Sequence, residues 1–424
     1  MSSTKPGGSV KESVIRMMTR LAEEHKAVNL SQGFPNEGPP LKLRLALAHA
    51  VLTGQACGTN MNTEEDIKKS LMKLVSADFD EGSPDQLNQY SPPMGRPDLR
   101  VGISDYYKRF YDYEVSPDNI TVTLGATEAF ASALRTIGRP GDKCVILEPF
   151  HELYPSQCNI FYLEPLYVTL RAVGLQWHYD ATELESALKE AKILMLNSPH
   201  NPTGKVFTRD ELRQIVDLCL KYDVYIITDE IYEHMCYDNN LHFLIPKEFP
   251  EIADRTLVCN SLGKSASATG WRLGWCLHPP QVRDTYRGIH DQMAVMSPHP
   301  MQYATLAYIT LSDEYFHSVS DRYKKRTQMM ASALKEVGFR VVPPQGAYYL
   351  FVDYREVPML KRMNSREAAM YLLKDVGVAC VPGDNFYGRK SDEAGKYLRF
   401  AACRSESDLA EAVRRLKALN DDSK

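Results

Sequence analysis

Lys264 stands in the run SLGKSASATGWRLGW, with Ser261 three residues before it and Arg272 eight after it. A short apolar run, Thr256–Cys259, precedes it. A lysine held at the end of a buried strand loses charge stabilisation by desolvation and can act as a nucleophilic amine. Taken alone, such a lysine is far more often a solvated surface residue. A hydroxyl and a guanidinium flanking it shift the balance, because the three together suit a phosphate tethered to an aldehyde.

Asp229 is the second anchor. It closes VYIITD, a run whose apolar character makes it a central strand. A buried acid needs a cationic partner or several donors. A helix N-cap is the plain alternative. With Lys264 in the same sheet, a pyridinium nitrogen is the better partner. Tyr232 and Asn201 could then hydrogen-bond a ring phenolate; a packed core tyrosine and an Asn-Pro turn are the plainer alternatives.

The elements that must position these residues are legible as seven short apolar runs: Ile120–Leu124, Cys144–Leu147, Tyr167–Leu170, Ile193–Leu196, Val224–Ile227, Thr256–Cys259 and Leu273–Leu277. Helical stretches separate them, such as Thr208–Lys221, opened by a capping box of Thr208 and Glu211. This pattern predicts an α/β fold with a mostly parallel seven-stranded sheet covered on both faces. Ligands of open α/β sheets sit beyond the carboxyl ends of the strands. Gly125, Ala126 and Thr127 follow the first run, and Glu148-Pro149-Phe150-His151 the second. NSPHNPTG (197–204) follows the fourth, Asp229, Glu230 and Tyr232 the fifth, and Ser261, Gly263 and Lys264 the sixth; Arg272 begins the seventh. Together they could bind an anionic aromatic cofactor.

After about residue 300 a smaller α+β unit is expected. It has a helical region to about Val337, a strand Ala347–Asp353, a helix over 365–376, strands near 378–381 and 397–402, and a helix over 406–419. Residues 1–9 read as a mobile tail, Ser9–Ala27 as a helix, Asn29–Pro40 as a loop and 41–52 as a helix. The acidic, Gly- and Ser-containing stretch 54–88, helical near 64–76, reads as an excursion near the mouth of the site. Domain limits are placed at 1–40, a segment packing on the small domain and the site, 41–300, the large cofactor-binding domain, and 301–424, the small domain.

The chain has 424 residues, 25% charged and 44% hydrophobic, which is ordinary globular composition. Fifty basic and 54 acidic side chains give a net charge of −4, so no basic balance points to nucleic acid or an acidic membrane surface. No apolar run has the ~18 residues of a spanning helix, and MSSTKPGGSVKESV lacks the apolar core of a secretory signal. Nine scattered cysteines, none in a C-x-x-C pair, fit reduced thiols and a cytoplasmic location. Eleven histidines include no H-x-x-x-H spacing, so no metal is expected. No G-x-G-x-x-G follows a strand, so a dinucleotide site has no support.

The chain resembles the pyridoxal-phosphate enzymes of fold type I, in the class I/II aminotransferase family. The matching segments are NLSQGFP (29–35), NQYSPPMGRPDLR (88–100), NSPHNPTGKVF (197–207), TDEIYE (228–233), SLGKSASATGWRLGW (261–275), PQGAYYLF (344–351) and YLRFAACRSE (397–406). They span nearly the whole chain in the family's order, and SQGFP and SATGW are similar to the kynurenine/glutamine aminotransferase branch. The resemblance implies a large and a small domain. It also implies a ping-pong exchange of an amino group between an L-amino acid and a 2-oxo acid, and a homodimer with shared sites.

By the same resemblance, Lys264 would bind pyridoxal 5′-phosphate as a Schiff base and shuttle the proton. Asp229 would pair with the pyridine nitrogen, and Tyr232 and Asn201 would hold the phenolic oxygen. Ala126, Thr127, Ser261 and Arg272 would hold the phosphate, with Tyr90 reaching that of the neighbouring subunit. Arg399 would grip the substrate α-carboxylate, with Asn201 beside it, and Gly33 would lie where a side chain would clash.

Two positions depart from the family pattern. His151 stands where a Phe, Tyr or Trp usually stacks on the cofactor ring; imidazole can stack, and it can also carry a proton. By spacing from Pro298, Val295 and Met296 stand where the kynurenine branch has an aromatic residue and a histidine. A lyase, cyclase or oxidase acting on an L-amino acid through the same cofactor is therefore the alternative. A catalytically dead scaffold is disfavoured because both Lys264 and Asp229 are present.

Overall fold

The computed structural model describes residues 12–56, 63–75, 85–388 and 391–420. The tail at 1–9, the start of the first helix and much of the excursion at 54–88 lie outside the described residues. The large sheet is built from β1 (Ile120–Thr123), β2 (Lys143–Glu148), β3 (Glu164–Thr169), β4 (Ile193–Asn197), β5 (Tyr225–Asp229), β6 (Thr256–Ser261) and β7 (Gly274–Leu277). Their order across the sheet is β1-β7-β6-β5-β4-β2-β3. All are parallel except β7, which runs antiparallel to both β1 and β6.

Runs rich in Val, Ile and Leu form these strands because both faces are covered. Alternate residues enter opposite cores: Val145, Leu194 and Ile226 pack on one side with Phe207 and Ile215. Ile146, Met195 and Ile227 pack on the other with Phe130 and Leu134. The period-2 pleat thus divides each run between two apolar layers. Helix Arg209–Lys221 begins with the expected capping box of Thr208 and Glu211.

The smaller sheet orders Arg340–Val341, Tyr349–Asp353, Tyr397–Ala401 and Val381–Pro382, all antiparallel. Helices Asp313–Glu336, Ser365–Tyr371 and Glu406–Leu416 accompany it. The first helix, Val14–Glu24, buries Met18 and Ala22 in the same cluster as Met330, Leu372 and Leu409. Val28–Asn29 pairs in parallel with Val378–Ala379.

Several elements differ from expectation. The helical region after 300 is two helices, His299–Ile309 and Asp313–Glu336, interrupted where Ser312 turns extended (φ −72°, ψ 161°) as the second N-cap. The strand expected from Ala347 begins at Tyr349, since Ala347 has φ 56° and cannot join a pleat. The α-helix expected over 365–376 ends at Tyr371 and closes in a π turn, Leu372–Val376, before Gly377 at φ 78°. The strand near 378–381 is two pairs of residues in different sheets. The last helix becomes a 3-10 turn at Lys417–Asn420. No helix among the described residues is long and apolar enough to cross a membrane.

Candidate active site

The carboxyl ends of β1, β4, β5 and β6 lie along one edge. Asn197 is in register with Asp229, and Asp229 with Cys259; Gly274 lies between Ser261 and Thr123. The loops that follow these strands therefore open together.

Lys264 sits in the turn after β6. Its Nζ donates to the Gly33 carbonyl at 2.6 Å. Burial brings the amine down to about 8, helped by the Arg399 and Arg272 charges against Cys403 and Asp229. Lys264, Gly33, His151, Tyr349 and Arg399 line one cavity of about 200 Å³, with Arg16 of the first helix at its wall.

Arg399, on strand Tyr397–Ala401, is 1% exposed. Its NH1 donates to Asn201 Oδ1 at 3.1 Å and its NH2 to the Ser31 carbonyl at 2.7 Å. Among the described residues its Nε has no hydrogen-bond partner. The guanidinium lies between the rings of Tyr349 and Phe386, at 4.5 and 4.8 Å. Among the described residues no carboxylate pairs with it. A buried cation without a counter-ion is costly, and an anion is the kind of partner that would offset that cost.

Asp229, at the end of β5, accepts from the Tyr154 phenol at 2.5 Å and from the Ile231 N–H at 3.3 Å. Neither partner is a cation. Burial pushes the carboxyl up to about 7, although both hydrogen bonds pull the other way. A protonated ring nitrogen is the kind of partner that would restore its charge.

Tyr232 is buried, with its hydroxyl 3.0 Å from that of Tyr349. Asn201 gives its carbonyl oxygen to Arg399, which leaves its amide N–H₂ to donate elsewhere. Its backbone N–H is fixed by Asn197 Oδ1 at 2.7 Å, and Asn197 Nδ2 donates to the Asp229 carbonyl at 2.9 Å.

Ala126 and Thr127 begin helix Gly125–Ile137. Arg272 donates to Thr127 Oγ1 at 3.4 Å and to the Thr269 carbonyl at 3.1 Å. A Cβ at Gly125 would lie 2.8 Å from Arg272 NH2, and one at Gly274 would lie 2.8 Å from the Ala126 nitrogen. Both glycines keep this corner open. An exposed guanidinium, the Thr127 hydroxyl and a helix N-terminus meet there, a donor set that suits a phosphate. Ser261 closes β6, and its own N–H is taken by Asn260 Oδ1 at 2.7 Å.

His151 lines the cavity. Its Nδ1 accepts from the Leu153 N–H at 3.2 Å. Burial and the charges of Arg399 and Lys264 hold the imidazole down to about 3, so it is neutral at neutrality. Tyr90 does not line the cavity of its own chain and is 78% exposed. Next to it, the Ser91 N–H meets the Met296 sulfur at 3.0 Å. Val295 stands exposed at a left-handed φ of 61°. None of these residues lines the Lys264 cavity.

Tyr154, Asn197 and Tyr349 were not singled out from sequence as site residues. Tyr154 stands three residues after His151, and Tyr349 lies within PQGAYYLF. An aromatic hydroxyl inside such a run was the signal to weigh.

The family model for aminotransferase class I and II matches residues 53–416. A probable kynurenine–oxoglutarate transaminase of Saccharomyces cerevisiae is 31% identical, over 87% of this chain and 91% of its own. Kynurenine–oxoglutarate transaminase 1 of Homo sapiens is 30% identical, over 92% of each chain. The structure of N-succinyldiaminopimelate aminotransferase from Mycobacterium tuberculosis superposes with a TM-score of 0.84 at 30% identity, covering 96% of this chain and 97% of that one. The chain belongs to the class I and II aminotransferases, enzymes of pyridoxal-phosphate-dependent amino-group transfer, and stands on their kynurenine transaminase side.

Proposed function

We propose that this cavity exchanges an amino group between an L-amino acid and a 2-oxo acid, with Lys264 as the covalent anchor of pyridoxal 5′-phosphate. One observation carries this reading: an amine lowered to about 8 shares a cavity with a buried guanidinium that pairs with no carboxylate among the described residues. Bound there, the cofactor supplies a sink for the electron pair left when the substrate's α-proton departs.

The chain's own residues do the rest. Asp229 holds a proton on the ring nitrogen. Tyr232 and the Asn201 amide donate to the ring's phenolic oxygen. Ala126, Thr127, Ser261 and Arg272 hold the phosphate. Arg399 binds the substrate α-carboxylate, and Gly33 leaves room beside it. Lys264 Nζ moves the proton from the α-carbon. His151 gives a neutral flat face to the ring.

The active unit is a homodimer in which Tyr90 reaches the phosphate of the other subunit. Supporting this, Tyr90 is exposed, and so are Val51, whose carbonyl accepts from Asn88 Nδ2 at 3.1 Å, and Val295, whose neighbour Met296 meets the Ser91 N–H. The units are 1–40, 41–300 and 301–424, and the enzyme is cytoplasmic.

The test is to incubate the purified enzyme with a panel of amino acids and follow the cofactor absorbance. Conversion to the amine form without a 2-oxo acid, reversed by adding one, is expected. Release of ammonia, uptake of oxygen or a cyclised product would instead assign a lyase, oxidase or cyclase.

A further inference from the structure

Tyr349 touches three parts of the site at once. Its hydroxyl is 3.0 Å from that of Tyr232. Its ring lies under the Arg399 guanidinium, 4.5 Å away. A Cβ at Gly33 would fall 1.9 Å from its hydroxyl, so only glycine leaves that hydroxyl its place. Tyr349 is 2% exposed and Tyr232 1%.

We propose that Tyr349 is a positioning residue that donates its hydroxyl hydrogen to Tyr232, so that the Tyr232 hydrogen is turned to the cofactor's phenolic oxygen and strengthened as a donor. This rests on the assignment of Tyr232 to that oxygen. A phenol that donates outward can only accept at its own oxygen, which fixes the direction of the bond between the two tyrosines. Chained hydrogen bonds polarise one another where water is scarce. Both phenols keep their protons: burial raises each, with Tyr348, Tyr349 and Asp229 facing Tyr232. Tyr349 faces Tyr232, Tyr348, Cys403 and Arg399; burial raises it, and the Arg399 charge opposes the rise. Lys264 Nζ lies 6.0 Å from the Tyr232 ring. The same side chain therefore supports the carboxylate seat and the donor to the ring oxygen.

The test is the pH titration of the visible band of the holoenzyme without substrate. A phenolic oxygen with a weaker donor is more basic, so the bound cofactor holds its titrating proton to higher pH. Tyr349→Phe is expected to raise the midpoint by roughly 0.5–1 unit, the size of one modest hydrogen bond. Tyr232→Phe is expected to raise it further. In the double variant the Tyr349 change should add nothing, because its effect passes through Tyr232. Gly33→Ala, which crowds the Tyr349 hydroxyl, should raise the midpoint in the wild type and less so with Phe at 349. An unmoved midpoint in Tyr349→Phe, or additive shifts in the double variant, overturns the proposal while leaving the Tyr232 assignment intact. An unmoved midpoint in Tyr232→Phe overturns that assignment and this proposal with it.

Discussion

The Tyr154 phenol donates to Asp229 at 2.5 Å, and among the described residues no cation pairs with that carboxylate. Burial raises Asp229 to about 7, whereas an unfolded Asp titrates near ~3.9. Between these values the cofactor-free folded chain binds a proton that the unfolded chain has lost. Its stability must therefore fall as pH rises through this window. At ~1.4 kcal/mol per unit, the penalty above pH 7 reaches up to about 4 kcal/mol. Cofactor-free Asp229→Asn should be as stable as the wild type near pH 4 and more stable at pH 8, as denaturant unfolding will show. With cofactor bound the order should reverse, and proton abstraction in the variant should be at least ~10-fold slower, from loss of a charge-assisted contact. A rate within a factor of two of the wild type would reduce Asp229 to a structural cap.

Lys264 titrates at about 8 in the folded chain. Covalent capture of pyridoxal phosphate by the cofactor-free protein should accelerate with pH around a midpoint near that value, well below an ordinary lysine. Borohydride trapping and peptide mass should place the label on Lys264. Lys264→Ala should abolish both label and turnover while the phosphate contacts still retain some cofactor. Normal activity in this variant would remove the basis of the whole site.

His151 is held down to about 3, so its charge does not change in the range where the enzyme is assayed. His151→Phe should keep both limbs of the pH–rate profile and stay within ~10-fold of wild-type activity, since a flat face is all it needs to supply. The variant loses the bond to the Leu153 N–H, which should cost about 0.5–1.5 kcal/mol in unfolding. A fall of ~10²–10⁴-fold with loss of one limb would make the imidazole a proton carrier after all.

The strand-end positions of Lys264, Asp229 and Arg272 were legible because each follows, closes or opens an apolar run, and strand ends are where α/β sheets hold ligands. Gly33 and Arg399 came from segments that match a family, and the structure brings both to the Lys264 cavity. What sequence left hidden are pairings across long separations. Tyr154 meets Asp229 over 75 residues, and Tyr349 meets Tyr232 over 117. Local pattern assigns a tyrosine to an apolar layer and does not say where its hydroxyl ends. The strand near 378–381 split for the same reason: its partners, Val28–Asn29 and Tyr397–Ala401, lie in distant segments. The β7 run gave no sign of its antiparallel direction, because both directions bury the same alternating residues.

Tyr90 is 78% exposed in one chain, in a segment next to Met296 rather than Lys264. If it completes the other subunit's site, mixed dimers of Tyr90→Phe and Lys264→Ala chains divide into two kinds of site. One site then carries both defects and the other neither, so a fraction of activity returns when the two inactive or weakened pools are mixed. No recovery, or full activity in a monomer at high dilution, would place Tyr90 outside the chemistry.

Arg399 holds two bonds, to Asn201 and Ser31; its Nε has no partner among the described residues, and its guanidinium lies over the rings of Tyr349 and Phe386. Lysine would keep the charge but not the planar fork, nor the stacking of a flat cation on Tyr349 and Phe386. Arg399→Lys should therefore lower kcat/KM for every α-amino acid by ~10²-fold or more, the loss of a charge-assisted bidentate grip. Cofactor affinity, read from the visible band, should fall far less than kcat/KM, because none of the residues assigned to the phosphate bonds to Arg399 and only its bond to Asn201 links it to the cofactor's ring. Amines that lack a carboxylate separate the two explanations of a slower enzyme. If Arg399 acts on the carboxylate, their slow turnover is unaffected by the change. If they lose as much as the amino acids do, Arg399 supports the fold of the cavity and some other group selects the substrate.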